Sequence, residues 1–143
     1  MFEQDAEKLM NMILGLRKIN KDLNNKPLPF REMSVLGMLK MNEDIIQMSE
    51  ISSNLEMTKP ALSQLINKLE DAELVERIFQ KSDRRATYIK ITEKGNKLFE
   101  GEREKFRESL KNILARMGEK DSKEFIRLTG EFLNAFNQER GVQ

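Results

Sequence analysis

Hydrophobic residues recur at helical spacing in the first and last parts of the chain, with charged residues between them. This pattern predicts one helix over residues 5–24, a long helix over about 92–116 and a final helix over about 121–138. Thr92 can cap the second of these helices, and Gly118 ends it. The apolar positions that carry the pattern include Leu9, Leu16, Leu23, Phe99, Phe106, Leu110, Ile113, Met117, Phe125, Leu128, Phe132 and Phe136.

The middle of the chain predicts shorter elements. Two prolines within residues 24–29 end the first helix, because proline fixes φ and disfavours helix in the residue before it. A second helix is predicted over 30–41, where apolar residues again follow a helical rhythm. Residues 42–44 are polar and predict a turn.

A pair of short helices follows, each preceded by a hydroxyl side chain. Ser49 can cap a helix over residues 50–55, and Thr58 can cap a longer helix over 59–72. In both cases the side-chain oxygen can accept a free N–H group of the first turn. Pro60 lies in the first turn of the second helix, where its missing N–H removes no hydrogen bond.

Two runs rich in β-branched and aromatic residues, 74–79 and 86–91, predict a β-hairpin with a polar turn over 81–85. The segment Asp83-Arg84-Arg85 is expected at the tip of this turn. A guanidinium there can enter the narrow, electronegative minor groove of DNA, and a carboxylate two residues earlier can orient it. The alternative is an exposed turn with an incidental ion pair, which contributes little stability.

The helix predicted over 59–72 divides into an apolar face and a polar face. Short polar and amide side chains near its N-terminus can reach base edges or phosphates, as in the recognition helix of a helix-turn-helix. An ordinary amphipathic helix with a solvated face explains this pattern equally well. The charged hairpin tip that follows the helix favours DNA binding over this alternative. The candidate DNA-binding residues are Thr58, Lys59, Pro60, Ser63, Gln64, Asn67, Lys68, Asp83, Arg84 and Arg85.

Composition narrows the classes of function. The chain has 143 residues, which suggests one domain, and it contains neither cysteine nor histidine. Thiol switches and the commonest zinc ligands are therefore missing, so we predict no cofactor, no metal site and no enzyme activity. The net charge is +1, although residues 58–90 hold 7 basic and 5 acidic groups. The acidic N-terminus and short apolar runs predict a soluble cytoplasmic protein without a membrane span.

Nine methionines are unusual for a chain of this length. Met33 and Met41 belong to a cluster whose flexible thioethers can line a ligand pocket, although ordinary core filling is the favoured interpretation. Arg17 and Lys21, one turn apart on the first helix, can receive an anionic effector, although solvated surface charges explain them as well. These four residues are the candidate effector-binding residues.

Residues 48–95 resemble the winged-helix core of the MarR-type transcriptional regulators. The match runs without a gap, and the wing tip followed by Thr-Glu-Lys-Gly is fairly specific. The residues that carry the resemblance are Ser49-Glu50-Ile51, Leu55, Thr58-Lys59, Leu62-Ser63, Leu65, Lys68-Leu69-Glu70, Leu74-Val75-Glu76-Arg77, Asp83-Arg84-Arg85 and Ile91-Thr92-Glu93-Lys94-Gly95.

The resemblance implies a homodimer on double-stranded DNA, with the helix over 59–72 in the major groove and the wing in the minor groove. Such regulators typically repress genes and release DNA on sensing a small molecule, a metal or an oxidant. An organic effector is the expectation here, because cysteine and histidine are missing. Glu56 and Glu73 stand where the family commonly has glycine, and a left-handed backbone at such a position costs about 1 kcal/mol.

We therefore predict an α+β, mostly helical chain that forms a single domain over 1–143. A winged helix-turn-helix with a two-stranded wing covers 30–91, and dimerisation helices cover 5–24 and 92–139. The predicted function is that of a transcriptional regulator, an effector-responsive repressor that binds a pseudo-palindromic operator as a homodimer. The alternative is a winged-helix protein–protein interaction module without DNA binding. Only DNA binding is expected to weaken steeply and log-linearly with salt.

Overall fold

The protein has the predicted α+β winged-helix architecture. The computed structural model describes residues 1–16, 18, 19, 21, 28–80 and 83–141, with the backbone alone described at residues 80 and 83–85. In chain order, the elements are α1 (Glu3–Gly15), α2 (Phe30–Met41), β1 (Ile45–Gln47), α3 (Met48–Asn54), α4 (Lys59–Asp71), β2 (Val75–Gln80), β3 (Asp83–Ile91), α5 (Glu93–Met117) and α6 (Glu119–Glu139).

A three-stranded antiparallel sheet has the strand order β1-β3-β2. The two-stranded wing is formed by β2 and β3, with Arg77 opposite Ile89. The strand β1 was not predicted from the sequence, because three residues are too few to show alternation. It pairs with β3 so that Ile46 lies opposite Ile89. The sheet thereby joins the wing to the helices that precede it.

The hydrophobic core lies between the sheet and the three helices α2, α3 and α4. These helices are short and amphipathic, so each buries one apolar face against the others. All of the largest fully buried side chains come from these elements: Val35, Leu36, Leu39, Ile51, Leu62, Ile66, Leu69, Val75 and Ile89. The core therefore fixes α4 against the wing.

The helix ends partly follow the predicted caps. Thr58 Oγ1 accepts the N–H of Ala61 at 3.3 Å, and Thr92 Oγ1 accepts the N–H of Gly95 at 3.0 Å, which confirms both of these caps. The predicted cap at Ser49 is wrong. Helix α3 begins at Met48, and its N-cap residue is Gln47, whose backbone is extended. Ser49 therefore lies inside the helix.

Glu56 and Glu73 hold backbone conformations that favour glycine, as do Glu43 and Asp44 before β1. Glu56, between α3 and α4, has φ 51°, and Glu73, between α4 and β2, has φ 62°. Left-handed φ is disfavoured for residues with a Cβ. Both loops therefore keep the backbone geometry expected from the resemblance without the glycine residues that usually accompany it.

The chain consists of two compact units, residues 1–102 and 103–143. The first contains the complete winged helix. In the second, Ser122 Oγ donates a 2.6 Å hydrogen bond to the carbonyl of Leu114, which ties α6 to α5. The predicted boundaries between a winged-helix core and dimerisation helices stay a prediction. Helix α1 ends at Gly15, before the predicted end at residue 24, although residues 18, 19 and 21 are again helical; the rest of 17–27 lies outside the described residues.

Candidate nucleic-acid interface

The start of α4 is fixed by its cap and by its buried face. Thr58 has an extended backbone and accepts the N–H of Ala61, while Pro60 occupies the first turn. Leu62 and Ile66 are buried one turn apart. A helix anchored in this way turns its opposite face to solvent, and that face holds the predicted recognition residues.

The exposed face of the N-terminal half of α4 is polar. Lys59, Pro60 and Gln64 are exposed, and Ser63 is half-buried. A groove of about 320 Å³ lies beside them, where α3, α4, β1 and β3 meet. Its lining residues are Gln47, Met48, Ser49, Ser52, Lys59, Leu62, Ser63 and Thr87. Hydroxyl groups and one ammonium group on a concave surface suit contact with phosphate oxygens.

The C-terminal half of α4 is engaged within the protein. Lys68 Nζ lies 3.1 Å from Oε1 of Glu32 in α2, and the Glu32 side chain is only 9% exposed. The amide oxygen of Asn67 accepts a 2.7 Å hydrogen bond from Nη2 of Arg77 in β2. Two of the predicted DNA-binding residues therefore already have partners, one on each neighbouring element.

Sequence reasoning missed Glu32 and Arg77 as residues that organise this interface. A signal for Glu32 was present, because it lies three, four and seven residues before Val35, Leu36 and Leu39, which are buried. A carboxylate on such a face needs a cation or hydrogen-bond donors. No comparable signal exists for Arg77, since its partners are set by the packing of α4 on β2.

The predicted wing tip requires one correction. Gln80 pairs with Asp83, so strand β3 begins at Asp83, and the segment Asp83-Arg84-Arg85 lies at the start of the strand rather than in the turn. Residues 81 and 82, between the paired residues Gln80 and Asp83, lie outside the described residues. The register shifts between Phe79 and Gln80, because Phe79 pairs with Thr87 and Gln80 with Asp83. That Asp83 orients Arg85 stays a prediction.

The candidate effector residues differ in burial, and their grouping into one effector site stays a prediction. Met33 packs against the core, whereas the Met41 side chain is 87% exposed and Lys21 is also exposed. Arg17 lies outside the described residues. Met33, Met38, Met48 and Met57 all pack against the core, so core filling, the favoured interpretation of the methionine cluster, is confirmed for these four.

In the part of the chain that the structure describes, no group of three or more acidic residues is arranged to hold a metal ion. Within the same residues, no helix is both long and apolar enough to cross a membrane.

The chain is similar to several proteins of known class. The model of the MarR family matches residues 26–86. The HTH-type transcriptional regulator TcaR of Staphylococcus aureus is 35% identical over 96 residues, which are 64% of this chain and 62% of that protein. The curated relatives that the chain matches are longer than the match, since it spans 40% to 62% of their length.

Solved structures share the fold over nearly the whole chain. The transcriptional regulator BldR of Sulfolobus solfataricus has a TM-score of 0.70 and 25% identity, over 94% of this chain and 99% of that one. Streptococcus pneumoniae FabT, solved in complex with DNA, has a TM-score of 0.71 and 20% identity, over 96% of both chains. Residues 26–86 therefore match the MarR family, and the winged-helix fold with its capped helix α4 is similar to that of the regulator BldR.

Proposed function

We propose that this protein is a sequence-specific DNA-binding transcriptional regulator that acts as an effector-responsive repressor. The observation that carries the proposal is the exposed polar face at the N-terminal end of α4, next to the wing within one compact unit. Lys59, Ser63 and Gln64 offer an ammonium, a hydroxyl and an amide group there. An amide reads adenine and a cation neutralises phosphate, so this set of groups suits a major groove.

The alternative use of the same face, docking of a protein partner, is less well supported. Protein interfaces are typically built around buried aromatic or aliphatic anchors. The exposed residues at the start of α4 are polar apart from Pro60. FabT, which shares this fold, has been solved in complex with DNA.

The proposal includes a homodimer. Many large apolar side chains are exposed in the terminal helices, and large exposed apolar patches mark interaction sites. They include Leu9, Met12, Ile13 and Leu16 in and next to α1, Phe106, Leu110, Ile113 and Met117 in α5, and Phe125, Ile126, Leu128, Phe132, Leu133 and Phe136 in α6. A second copy of the chain would cover them and would place two copies of α4 on one duplex.

The experiment is selection of bound sequences from a random DNA pool, followed by titration of the best site at several salt concentrations. We expect a pseudo-palindrome whose half-sites have centres about 10 base pairs apart, because a two-fold dimer reads one face of the duplex. Affinity should fall log-linearly with salt. Recovery of no sequence, or binding that is insensitive to salt, would contradict DNA binding and favour the protein-docking alternative.

Effector release is tested on the same selected site. We propose an organic, anionic ligand, because cysteine and histidine are missing and Lys21, which follows α1 in the chain, offers an exposed positive charge. A panel of aromatic carboxylates should include ligands that weaken DNA binding in a saturable manner. A chelator-reversible loss of binding at micromolar zinc would contradict the proposed ligand class.

A further inference from the structure

We propose that Arg77 is a positioning residue that holds α4 in its DNA-reading orientation against the wing, and that Asn67 influences recognition through Arg77 rather than by touching a base. The proposal rests on the proposed DNA binding. It concerns residues of one compact unit, since both α4 and β2 lie within residues 1–102.

Three hydrogen bonds join Arg77 to α4. Its Nη1 donates to Oε1 of Glu70 at 2.8 Å, and its Nη2 donates to Oδ1 of Asn67 at 2.7 Å. Its backbone N–H donates to Oε2 of Glu70 at 3.3 Å. Asn67 and Glu70 are three residues apart and therefore neighbours on the helix surface. One strand residue thus contacts two positions that are neighbours on the helix surface.

The guanidinium group is suited to this contact. It is planar and presents its N–H donors in a rigid fork, so it can bind two acceptors in a defined geometry, which the point charge of a lysine cannot do. The Arg77 side chain is 21% exposed, and that of its partner Glu70 is 39% exposed. Shielding from water reduces the screening that weakens most surface ion pairs. The contact therefore restricts the orientation of α4 more than an exposed pair would.

Asn67 is constrained by the same contact. An asparagine that reads adenine uses its amide oxygen and its amide nitrogen together, one as acceptor and one as donor. In this structure the oxygen already accepts from Arg77. This hydrogen bond fixes the orientation of the amide group, so base reading by Asn67 is limited to the lone pair and the N–H groups that this orientation leaves open. Its contribution to DNA binding is therefore expected to depend on Arg77.

The contact of Lys68 also distinguishes the C-terminal half of α4 from its N-terminal half. It contacts the buried carboxylate of Glu32 in α2 at 3.1 Å, on another side of the helix from the contact with β2. The C-terminal half of α4 is thus held by ionic contacts from α2 and from the wing. The exposed groups of the N-terminal half, at Lys59 and Gln64, remain available for DNA.

The test is a double-mutant cycle on DNA affinity with Arg77→Lys and Asn67→Ala. Arg77→Lys keeps the positive charge but loses the forked arrangement of N–H donors. We therefore expect about tenfold weaker binding to the selected site, which corresponds to the loss of one charged hydrogen bond. The salt slope should not change, because the number of charges is the same. Asn67→Ala should weaken binding in the wild-type background and have almost no further effect in Arg77→Lys. Arg127→Lys, in an exposed ion pair of α6, is the matched control and should bind as wild type.

A second measurement needs no DNA. Amide hydrogen exchange of the free protein should become faster in the C-terminal half of α4 and at the start of β2 in Arg77→Lys, and stay unchanged there in Arg127→Lys. Unchanged exchange would overturn the positioning role of Arg77. Additive effects of the two substitutions on affinity would overturn the dependence of Asn67 on Arg77. If the wild-type protein binds no DNA, the proposed function fails, while the exchange comparison still tests the contact itself.

Discussion

Gly95 in α5 lies directly against the backbone carbonyl of Leu74, the residue that leads into β2. A Cβ atom at position 95 would overlap that carbonyl oxygen and would also crowd the side chain of Ile91. The same oxygen accepts the N–H of Thr92 at 3.0 Å. The glycine of the Thr-Glu-Lys-Gly segment therefore allows α5 to begin close to the base of the wing.

Gly95→Ala should destabilise the protein strongly, by about 1–3 kcal/mol as for an overpacked core site, because backbone atoms must shift to accept the methyl group. Gly101→Ala in the same helix is the control, since no atom lies within 4 Å of a Cβ built there. It should stabilise the protein by about 0.5–1 kcal/mol through helix propensity. Chemical denaturation of both variants measures the difference. Equal effects would contradict the close approach of Gly95 to Leu74.

The left-handed backbone at Glu56 and Glu73 predicts that glycine is preferred at both positions. Because Ala and Gly remove the same glutamate side chain, the comparison between them isolates the backbone. Each Gly variant should be more stable than the corresponding Ala variant by about 1 kcal/mol. Thermal unfolding of the four single variants tests this prediction. An Ala variant as stable as its Gly counterpart would show that the backbone at that position carries no strain.

Sequence patterns predicted local features better than long-range ones. The bounds of α2 and the caps at Thr58 and Thr92 follow from neighbouring residues, and all three are confirmed. The contact of Lys68 with Glu32 joins residues 36 positions apart. The polar face of α4 therefore led to the prediction that Lys68 contacts DNA. The contact of Lys68 with Glu32 becomes visible only when α2 is packed against α4.

The exposed apolar face of α6 predicts that dimer formation depends on it. The rings of Phe132 and Phe136 stack at 6.3 Å, and the Phe132 side chain is 47% exposed. Phe132→Lys should shift the protein towards monomer at micromolar concentration, because it places a charge in the expected interface. Asn134→Lys, on the opposite face of the helix, adds the same charge and should leave the dimer intact. Sedimentation velocity distinguishes the two variants. Equal association states of both variants would contradict the assignment of this face.

Acidification should remove part of the stability of the C-terminal helices. The guanidinium of Arg127 donates to Glu124 at 2.6 Å, and that of Arg107 donates to Glu104 at 2.7 Å. These hydrogen bonds hold the pKa of each carboxyl below its usual value. Folding therefore favours the ionised form, so this stabilisation is present at neutral pH and is lost as the pH falls through the folded-state pKa values.

A comparison of wild type with Glu124→Gln measures this contribution. The wild-type protein should be the more stable of the two at neutral pH, and the difference in melting temperature should shrink as the solution becomes acidic. Because both groups of the pair are exposed, the difference should also shrink with added salt. A difference that grows on acidification would have the wrong sign for a lowered pKa.

Gln64 and Arg85 are predicted to contribute to DNA binding in different ways. Gln64 is exposed on the N-terminal half of α4, where an amide can pair with a base edge, most naturally adenine. Gln64→Ala should weaken binding to the best site by about 1–3 kcal/mol and flatten the preference at one base pair per half-site. Arg85, near the start of β3, is expected to read minor-groove width and charge. Arg85→Ala should weaken binding to many sequences and reduce the salt slope by about 1 for each protomer.

Asp83→Ala separates orientation of Arg85 from net charge. If the carboxylate orients the arginine, its removal should reproduce part of the Arg85→Ala loss, although the variant is less negative and simple attraction to DNA would make it bind more tightly. Gln138→Ala, at the end of α6, is the control for Gln64→Ala and should leave sequence preference unchanged. Fluorescence anisotropy on the best site and a scrambled site, at several salt concentrations, measures all four variants. Tighter binding by Asp83→Ala would contradict the orienting role, and an unaltered preference in Gln64→Ala would contradict base reading by that residue.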